Sequence, residues 1–366
     1  MLHKCHDFIA CRRGPVIRYN GYMTHKIIAF VLAEATRAKR GRELPMPQLK
    51  SAPHYLEQTV PSQYVLKSQE AEIDGAPVKI NVKTYHPDAM LVEATLEVED
   101  VFGDGTLELR DKLHQICYGV ASKHGAKEYL AEEYTIYQIS GYAGDPDVFV
   151  EKQGSQIAGL LKSEKIPLDE REVEYTLSLQ LKYSKNDLVV IDWDGAFVFD
   201  PEGNIEEALE IFEIANYQLL RYRILDKDLD RRLEKITKLS QTGKSPRRLF
   251  SFSKTKEVEK EFRELINLRA ESIAHFESME RDIKLIGEWY SARLYELTSK
   301  KFRFEEWRRA VKDKLDLLEG AYAITSENLG FSRIQRLEFV QIGLFFLLQA
   351  GWFVLIILEL FQILEE

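Results

Sequence analysis

Hydrophobic and polar residues follow three patterns along the chain, and each pattern predicts a different kind of structure. Within residues 69–203, short runs alternate between apolar and polar residues, as in half-buried strands, and two stretches have a helical period. This mixture predicts an α+β domain with an antiparallel or mixed sheet and helices on one face, in a ferredoxin-like arrangement. Asp74-Gly75 predicts a hairpin turn. The predicted strands are 78–85, 90–98, 132–139, 173–182, 188–191 and 196–199, and the predicted helices are 107–123 and 147–162.

Residues 204–330 carry apolar residues every three or four positions, the period of a helix with one apolar face. This long, highly charged pattern predicts an antiparallel coiled-coil hairpin, followed by a third helix at 304–328. We expect Gly330 to separate that helix from the C-terminal segment. We expect this apolar stripe to form the core between the helices of the hairpin, and as a second possibility a homo-oligomer interface.

The C-terminal segment 331–366 contains twenty consecutive residues without a formal charge, 339–358. At about 1.5 Å per residue, a helix of this length matches the hydrocarbon thickness of a bilayer, so the pattern predicts one transmembrane helix. The small residues Gly343, Ala350 and Gly351 and two amide side chains inside the span are suited to helix pairing. The residues taken to mark the anchor are Phe339, Gln341, Gln349, Trp352 and Leu358.

The charges beside the span predict its orientation. Arg333 and Arg336 precede it, whereas Glu359 follows it directly, and Glu365 and Glu366 carry the charges past Gln362. Lys and Arg mark the cytoplasmic side of a span. We therefore expect a single-pass protein whose N-terminal body faces the cytoplasm at a bacterial inner membrane, or the matrix at a mitochondrial inner membrane.

Residues 1–68 form a basic, Pro-containing extension in which 24–40 is expected to be a short amphipathic helix. Its acid-poor start resembles a mitochondrial targeting peptide, but the Ser content typical of such peptides is missing before Ser51. Processing of residues 1–45 and a loosely packed extension both stay open. The nearby metal-ligand residue types match no standard zinc spacing, so no metal site is predicted; they are His3, Cys5, His6 and Cys11.

The overall composition limits the partners. A net charge of -9 argues against nucleic acid as the main partner, since phosphate binding requires a dominating basic surface. Three cysteines without a CxxC motif suggest free thiols in a reducing compartment. One basic loop carries Phe250 and Phe252 and suits anionic lipid or RNA, although a solvated linker explains it equally; its bases include Arg247, Arg248, Lys254 and Lys256. No cofactor is predicted.

An apolar strand that ends in Asp192-Trp-Asp194-Gly195 resembles the first motif of the haloacid dehalogenase-like phosphatases. The resemblance implies Asp192 as the nucleophile and Asp194 as the acid/base, with a magnesium ion at the phosphate. Ala196 departs from the Thr or Val of that motif, and a long helical region follows where the family needs further α/β structure. A plain two-residue hairpin turn at Asp194-Gly195 is the competing interpretation.

Three segments also resemble the family named for being required for meiotic nuclear division. They are LLKSEKIPLDEREVEYTLSLQLKYSKNDLVVIDWDGAFVFD, EIFEIANYQLLRYRILDKDLDRRLEKI, and IQRLEF before the terminal span, within residues 155–366. The resemblance implies an α+β module, helices and a C-terminal membrane helix, and mitochondrial members are linked to organelle translation. The family supplies no catalytic residues.

These patterns favour a tail-anchored membrane protein whose body is a non-enzymatic interaction or scaffold module for an unknown protein partner. One alternative is a membrane-tethered phosphatase that uses Asp192 and Asp194. The other is an ion-channel-like assembly similar to the CorA magnesium channels, which need two spans and a Gly-Met-Asn signature. This chain has one predicted span and lacks that tripeptide.

Overall fold

The computed structural model describes residues 25–35, 42–43, 63–85, 88–242 and 289–365, with residues 260, 263–264, 266–267 and 269–270. The chain divides into two units. The first is Met1–Ile224 with Ser278–Trp307, and the second is Leu225–Glu277 with Arg308–Glu366.

The first unit is built on a nine-stranded sheet with helices around it. The strands are β1 His25–Ala35, β2 Arg42–Glu43, β3 Gln63–Ile73, β4 Ala76–Tyr85, β5 Ala89–Val98, β6 Ala126–Ile139, β7 Gln180–Leu181, β8 Leu188–Ile191 and β9 Gly195–Phe199. The helices described here are α1 Thr106–Lys123, α2 Asp147–Lys162, α3 Glu170–Thr176, α4 Glu206–Thr242, α5 Trp289–Lys301 and α6 Phe304–Glu365, of which α4 and α6 continue into the second unit.

The strand order is β2-β3-β4-β5-β1-β6-β9-β8-β7. Strand β1 pairs antiparallel with both β5 and β6, so these two strands run in the same direction on either side of it. Such a parallel relation needs a crossover, and α1 provides it. Because β9 pairs parallel with β6, the sheet is mixed, which confirms the predicted α+β class. With nine strands, this sheet is larger than that of the ferredoxin-like arrangement that we expected.

The helix predicted at 24–40 is wrong, because His25–Ala35 is the strand β1. Its uninterrupted apolar run, Ile27 to Ala33, is buried on both sides of the sheet. Such a run lacks the alternation of a half-buried strand, and periodicity alone cannot distinguish it from a buried helix. The segment 1–68, predicted to be an extension, therefore contains a central strand of the sheet and the beginning of β3.

Helices cover both faces of the sheet, and not one face as predicted. Alternate side chains of β4, such as Val78 and Ile80, join the core formed with α1 and α2. On the opposite face, the ring of Tyr134 in β6 lies 5.3 Å from that of Phe212 in α4 and 5.8 Å from that of Phe302, which follows α5. Both faces of the central strands are consequently buried.

One turn and one helix show how local sequence determines local structure. Asp74 and Gly75 have φ angles of 52° and 86° and join β3 to β4, which confirms the predicted hairpin turn. The strand predicted at 173–182 is wrong over most of its length, because α3 occupies Glu170–Thr176 and only β7 is extended. The carboxylate of Asp169 accepts a hydrogen bond from the Arg171 N–H at 3.0 Å, so an N-cap starts this helix.

In the second unit, α4 and α6 are held together by charged and apolar contacts. The Lys314 ammonium lies 2.6 Å from both Asp226 and Asp230, which are one helical turn apart. The buried apolar residues repeat every three or four positions on α6, as in a coiled coil; they are Val311, Leu315, Leu318 and Tyr322. Most of residues 243–288 lie outside the described residues, so the long coiled coil stays a prediction.

The C-terminal part of α6 differs from all other helices of the described chain. The helix continues through Gly330 without a break, so the separation predicted there is wrong. Its segment Val340–Ile357 is long and apolar enough to cross a membrane, and none of that segment is buried inside the protein. This segment therefore takes no part in the core that the described residues form.

Strand β9 approaches β6 so closely at Gly195 that a side chain would not fit. A Cβ atom on Gly195 would lie 2.5 Å from the Thr135 carbonyl oxygen. Gly195→Ala should therefore lower the free energy of unfolding by about 1–3 kcal/mol, measured by urea denaturation. Gly119→Ala in α1 is the control: an added Cβ meets nothing within 4 Å, and we expect about 0.5–1 kcal/mol of stabilisation. Equal denaturation midpoints for the two variants would contradict the close approach.

Candidate functional site

Asp192 and Asp194 lie in the tight turn between β8 and β9. The N–H of Asp192 donates to the Gly195 carbonyl at 2.8 Å, and Ile191 pairs with Ala196. This confirms a hairpin between the two strands, but its tip residues are Trp193 and Asp194, one position before the predicted Asp194-Gly195 turn, because Gly195 already belongs to β9. The turn is fastened to β6, because the Thr135 N–H donates to the Asp194 carbonyl at 3.1 Å.

The Asp192 carboxylate is buried between two lysines. Its oxygens lie 2.5 Å from the Lys301 Nζ at the end of α5 and 3.3 Å from the Lys162 Nζ at the end of α2. Lys162 also contacts Glu172 at 3.4 Å. The two ammonium groups stand 5.0 and 5.7 Å from the centre of the Tyr175 ring, a cation–π geometry. Sequence reasoning did not find these partners, which lie far from Asp192 along the chain.

Charge pairing changes the protonation behaviour of this cluster. Burial opposes the charge of Lys162, but Asp192 and Glu172 outweigh it and raise the pKa of the Lys162 ammonium. Burial and the adjacent Asp192 raise the pKa of the Asp194 carboxyl. A raised pKa suits an acid/base group.

The position of Asp192 nevertheless disfavours nucleophilic attack. Its exposed fraction is 0%, and two cations hold its carboxylate, whereas a nucleophile must reach a phosphate ester. Within the described parts of the chain, no group of three His, Cys, Asp or Glu side chains is placed to hold a metal ion. The arrangement is best suited to joining the hairpin to α2 and α5. Catalysis by Asp192 and Asp194 stays a prediction.

A second charged cluster lies beneath α4, and no local sequence pattern predicts it. Glu213 of α4 accepts hydrogen bonds from the Lys83 ammonium at 2.7 Å and the Tyr85 hydroxyl at 2.9 Å. Lys83 also lies 3.2 Å from Glu93, which accepts from the Asn81 amide at 3.0 Å. These contacts connect α4 to β4 and β5 through fully paired side chains.

Burial sets the ionisation of this second cluster. It raises the pKa of Glu213 to about 7, against the opposing attraction of Lys83. Burial also acts to raise the pKa of Glu93, but Lys83 and Asn81 outweigh it and lower that pKa. The Lys83 pKa is raised, because Glu213 and Glu93 outweigh its own burial. Glu213 is thus the group of the cluster that changes charge near neutral pH.

All the residues proposed to mark the anchor lie in α6. Trp352 is 70% exposed, and Gln341 and Gln349 are exposed as well. The side chains of Phe339 and Leu358 fall outside the described set. The bases of the predicted basic loop, Arg247, Arg248, Lys254 and Lys256, and the four candidate zinc ligands near the N terminus also lie outside the described residues.

Fold and site define an α+β body, with helices on both sheet faces, that continues into one exposed apolar helix. Residues 25–206 match the family model described as "Uncharacterized protein MJ0711, N-terminal domain", a range that runs from the start of β1 to the start of α4. The chain is 28% identical to the uncharacterized protein MJ0711 of Methanocaldococcus jannaschii over 251 residues, 69% of this chain and 74% of that protein. No solved structure matches the chain. The resemblance to the meiotic nuclear division family stays a prediction.

Removal of one lysine tests the structural role of the Asp192 cluster. Lys301→Met should lower the free energy of unfolding by about 3 kcal/mol, because a buried carboxylate loses its nearest cation. The control is Lys165→Met, which breaks the exposed pair with Glu108 at 3.2 Å and should cost under about 1 kcal/mol. Similar losses in both variants, measured by urea denaturation, would contradict a structural role for the buried pair.

The pKa of Glu213 makes stability depend on pH in a defined direction. In the folded protein this pKa lies near 7, above the ordinary glutamate value of about 4.5. The stabilisation from uncharged Glu213 is therefore complete below about pH 4.5 and is lost as pH rises through 7. Glu213→Gln keeps the uncharged form at every pH. Its stability relative to wild type should therefore rise by about 1–3 kcal/mol between pH 5 and pH 8. Urea titrations at several pH values measure this difference, and a constant difference would rule out titration of Glu213 in the folded protein.

Proposed function

We propose that this chain is a single-span membrane protein whose α+β body is a non-enzymatic interaction or scaffold module at the cytoplasmic face. The observation that carries the proposal is the exposure of Val340–Ile357. Within it, large apolar side chains such as Leu347, Phe353 and Leu355 are 64–75% exposed.

Water is a poor solvent for this segment. Each buried square ångström of apolar surface is worth roughly 25 cal/mol, and contiguous apolar surfaces of this size are rare on soluble proteins. An 18-residue helix rises about 27 Å, close to the hydrocarbon thickness of a bilayer. A helix also satisfies its own backbone hydrogen bonds in lipid. A bilayer therefore suits the segment by both length and polarity.

The charges beside the span support a cytoplasmic body. Arg333 and Arg336 precede it within two turns. The positive-inside rule then places the body in the cytoplasm of a prokaryotic cell, or in the matrix if the membrane is the mitochondrial inner membrane.

The pairing of the buried carboxylates supports a binding role for the body over a catalytic one. Asp192 and Glu213 are both paired with lysines inside the protein, and such pairing suits a structural role better than a catalytic role. A body of this kind, concentrated at a membrane, can recruit a protein partner. Its long helices and span also offer surfaces for association between copies.

Charges placed in the span test the anchor. Leu347→Arg with Leu348→Arg introduces two charges at the centre of Val340–Ile357. Each should cost about 2.5–3.5 kcal/mol on insertion, so we expect the doubly substituted chain to move from the carbonate-washed membrane pellet to the supernatant.

The matched control places the same charges outside the span on the same helix. Leu317 and Ile324 are 61% and 62% exposed, similar to the two test positions, and their replacement by Arg should leave the chain in the pellet. A wild-type chain found wholly in the supernatant would contradict the proposal.

A further inference from the structure

The span carries one amide at its midpoint. Gln349 lies nine residues after Val340 and eight before Ile357, and it is exposed. In the proposed span, its side chain therefore stands about 13 Å from either end, in the driest part of the bilayer. An amide without a hydrogen-bond partner in hydrocarbon is costly, so this position requires one.

Gln349 also belongs to a regular stripe. The residues Ile342, Phe345, Gln349, Trp352 and Ile356 follow one another at spacings of three, four, three and four. This is the heptad repeat with which two parallel helices pack side by side. The apolar members are 45–70% exposed along α6. A single polar residue in such a stripe is known to fix the alignment of two helices.

The chemistry of the amide indicates which partner packs against this stripe. A primary amide both donates and accepts hydrogen bonds, so two such groups are complementary to each other. Copies of one chain insert in the same orientation, which brings Gln349 of both to the same depth. We propose that the protein forms a parallel, two-fold symmetric dimer in the bilayer, with the Gln349 amides hydrogen-bonded to each other across the stripe. This inference rests on the proposed membrane anchor.

The other polar and small residues of the span lie away from this stripe. At about 100° per residue, Gln341 is rotated by roughly 80° from Gln349, and it sits near the end of the span where headgroup water is available. Gly343, Ala350 and Val354 form a different side of the helix, more than about 90° from Gln349. Substitutions at Gln341 and Val354 therefore serve as controls for the same kinds of substitution within the stripe.

Sedimentation equilibrium of the full chain in density-matched detergent micelles measures the association. Gln349→Leu should raise the dimer dissociation constant by about threefold to thirtyfold, as expected for loss of one interhelical amide contact. Gln349→Asn should keep most of the affinity, and Gln341→Leu should leave it unchanged. A purely monomeric wild-type chain would overturn the inference.

Disulfide formation locates the interface even if the body also associates. In a chain whose three natural cysteines are replaced, Ile356→Cys should cross-link in lipid vesicles several-fold faster than Val354→Cys, because the two positions face about 160° apart. Equal rates, or faster cross-linking at position 354, would overturn the inference.

Membrane fractionation of the same variants separates the two proposals. If Gln349→Leu stays in the carbonate-washed pellet and cross-linking still does not favour position 356, the dimer is wrong and the anchor stands. If the wild-type chain leaves the pellet, the anchor and the dimer both fail.

Discussion

The rest of the structure depends on the burial of apolar surface, which is covered in one part of the chain and exposed in another. The central strands of the sheet in the first unit bury side chains on both faces, under α1 and α2 on one side and α4 on the other. The segment Val340–Ile357 of α6 leaves its large side chains exposed. One chain thus contains a part suited to water and a part suited to lipid, and α6 is helical throughout the residues that lead into the span.

Charge is used inside the body to position elements. The Asp192 cluster joins the β8–β9 turn to the C-terminal ends of α2 and α5, and the Glu213 cluster joins α4 to β4 and β5. In each cluster, a buried carboxylate pairs with at least one lysine from a distant part of the chain, so loss of either partner would leave an unpaired charge inside the protein. The matched family range, 25–206, contains every strand of the described sheet and ends where α4 begins. That range also contains α1, α2 and α3.

Sequence alone predicted the elements whose signals are local. The Asp74-Gly75 turn, α1, α2, β8 and the apolar C-terminal helix followed from turn residues, periodicity and charge-free length. The central strand β1 was missed, because burial on two faces removes the alternation that marks a strand. Gly330 was expected to interrupt α6, but a single glycine costs only about 1 kcal/mol in a helix, and α6 continues through it. Lys301 and Lys162 were missed because no local pattern reports a contact made by tertiary folding.

The fluorescence of Trp352 gives the most direct measurement of the central claim, because this residue lies about 5 Å from the middle of the span. The intact protein is reconstituted in vesicles whose lipids carry bromine deep in the acyl chains. Bromine should quench part of the tryptophan emission, and Trp352→Phe should abolish the quenched part while the emission of Trp193, Trp289 and Trp307 stays unquenched. Quenching that is absent, or that is the same with and without Trp352, would show that this helix does not enter the hydrocarbon.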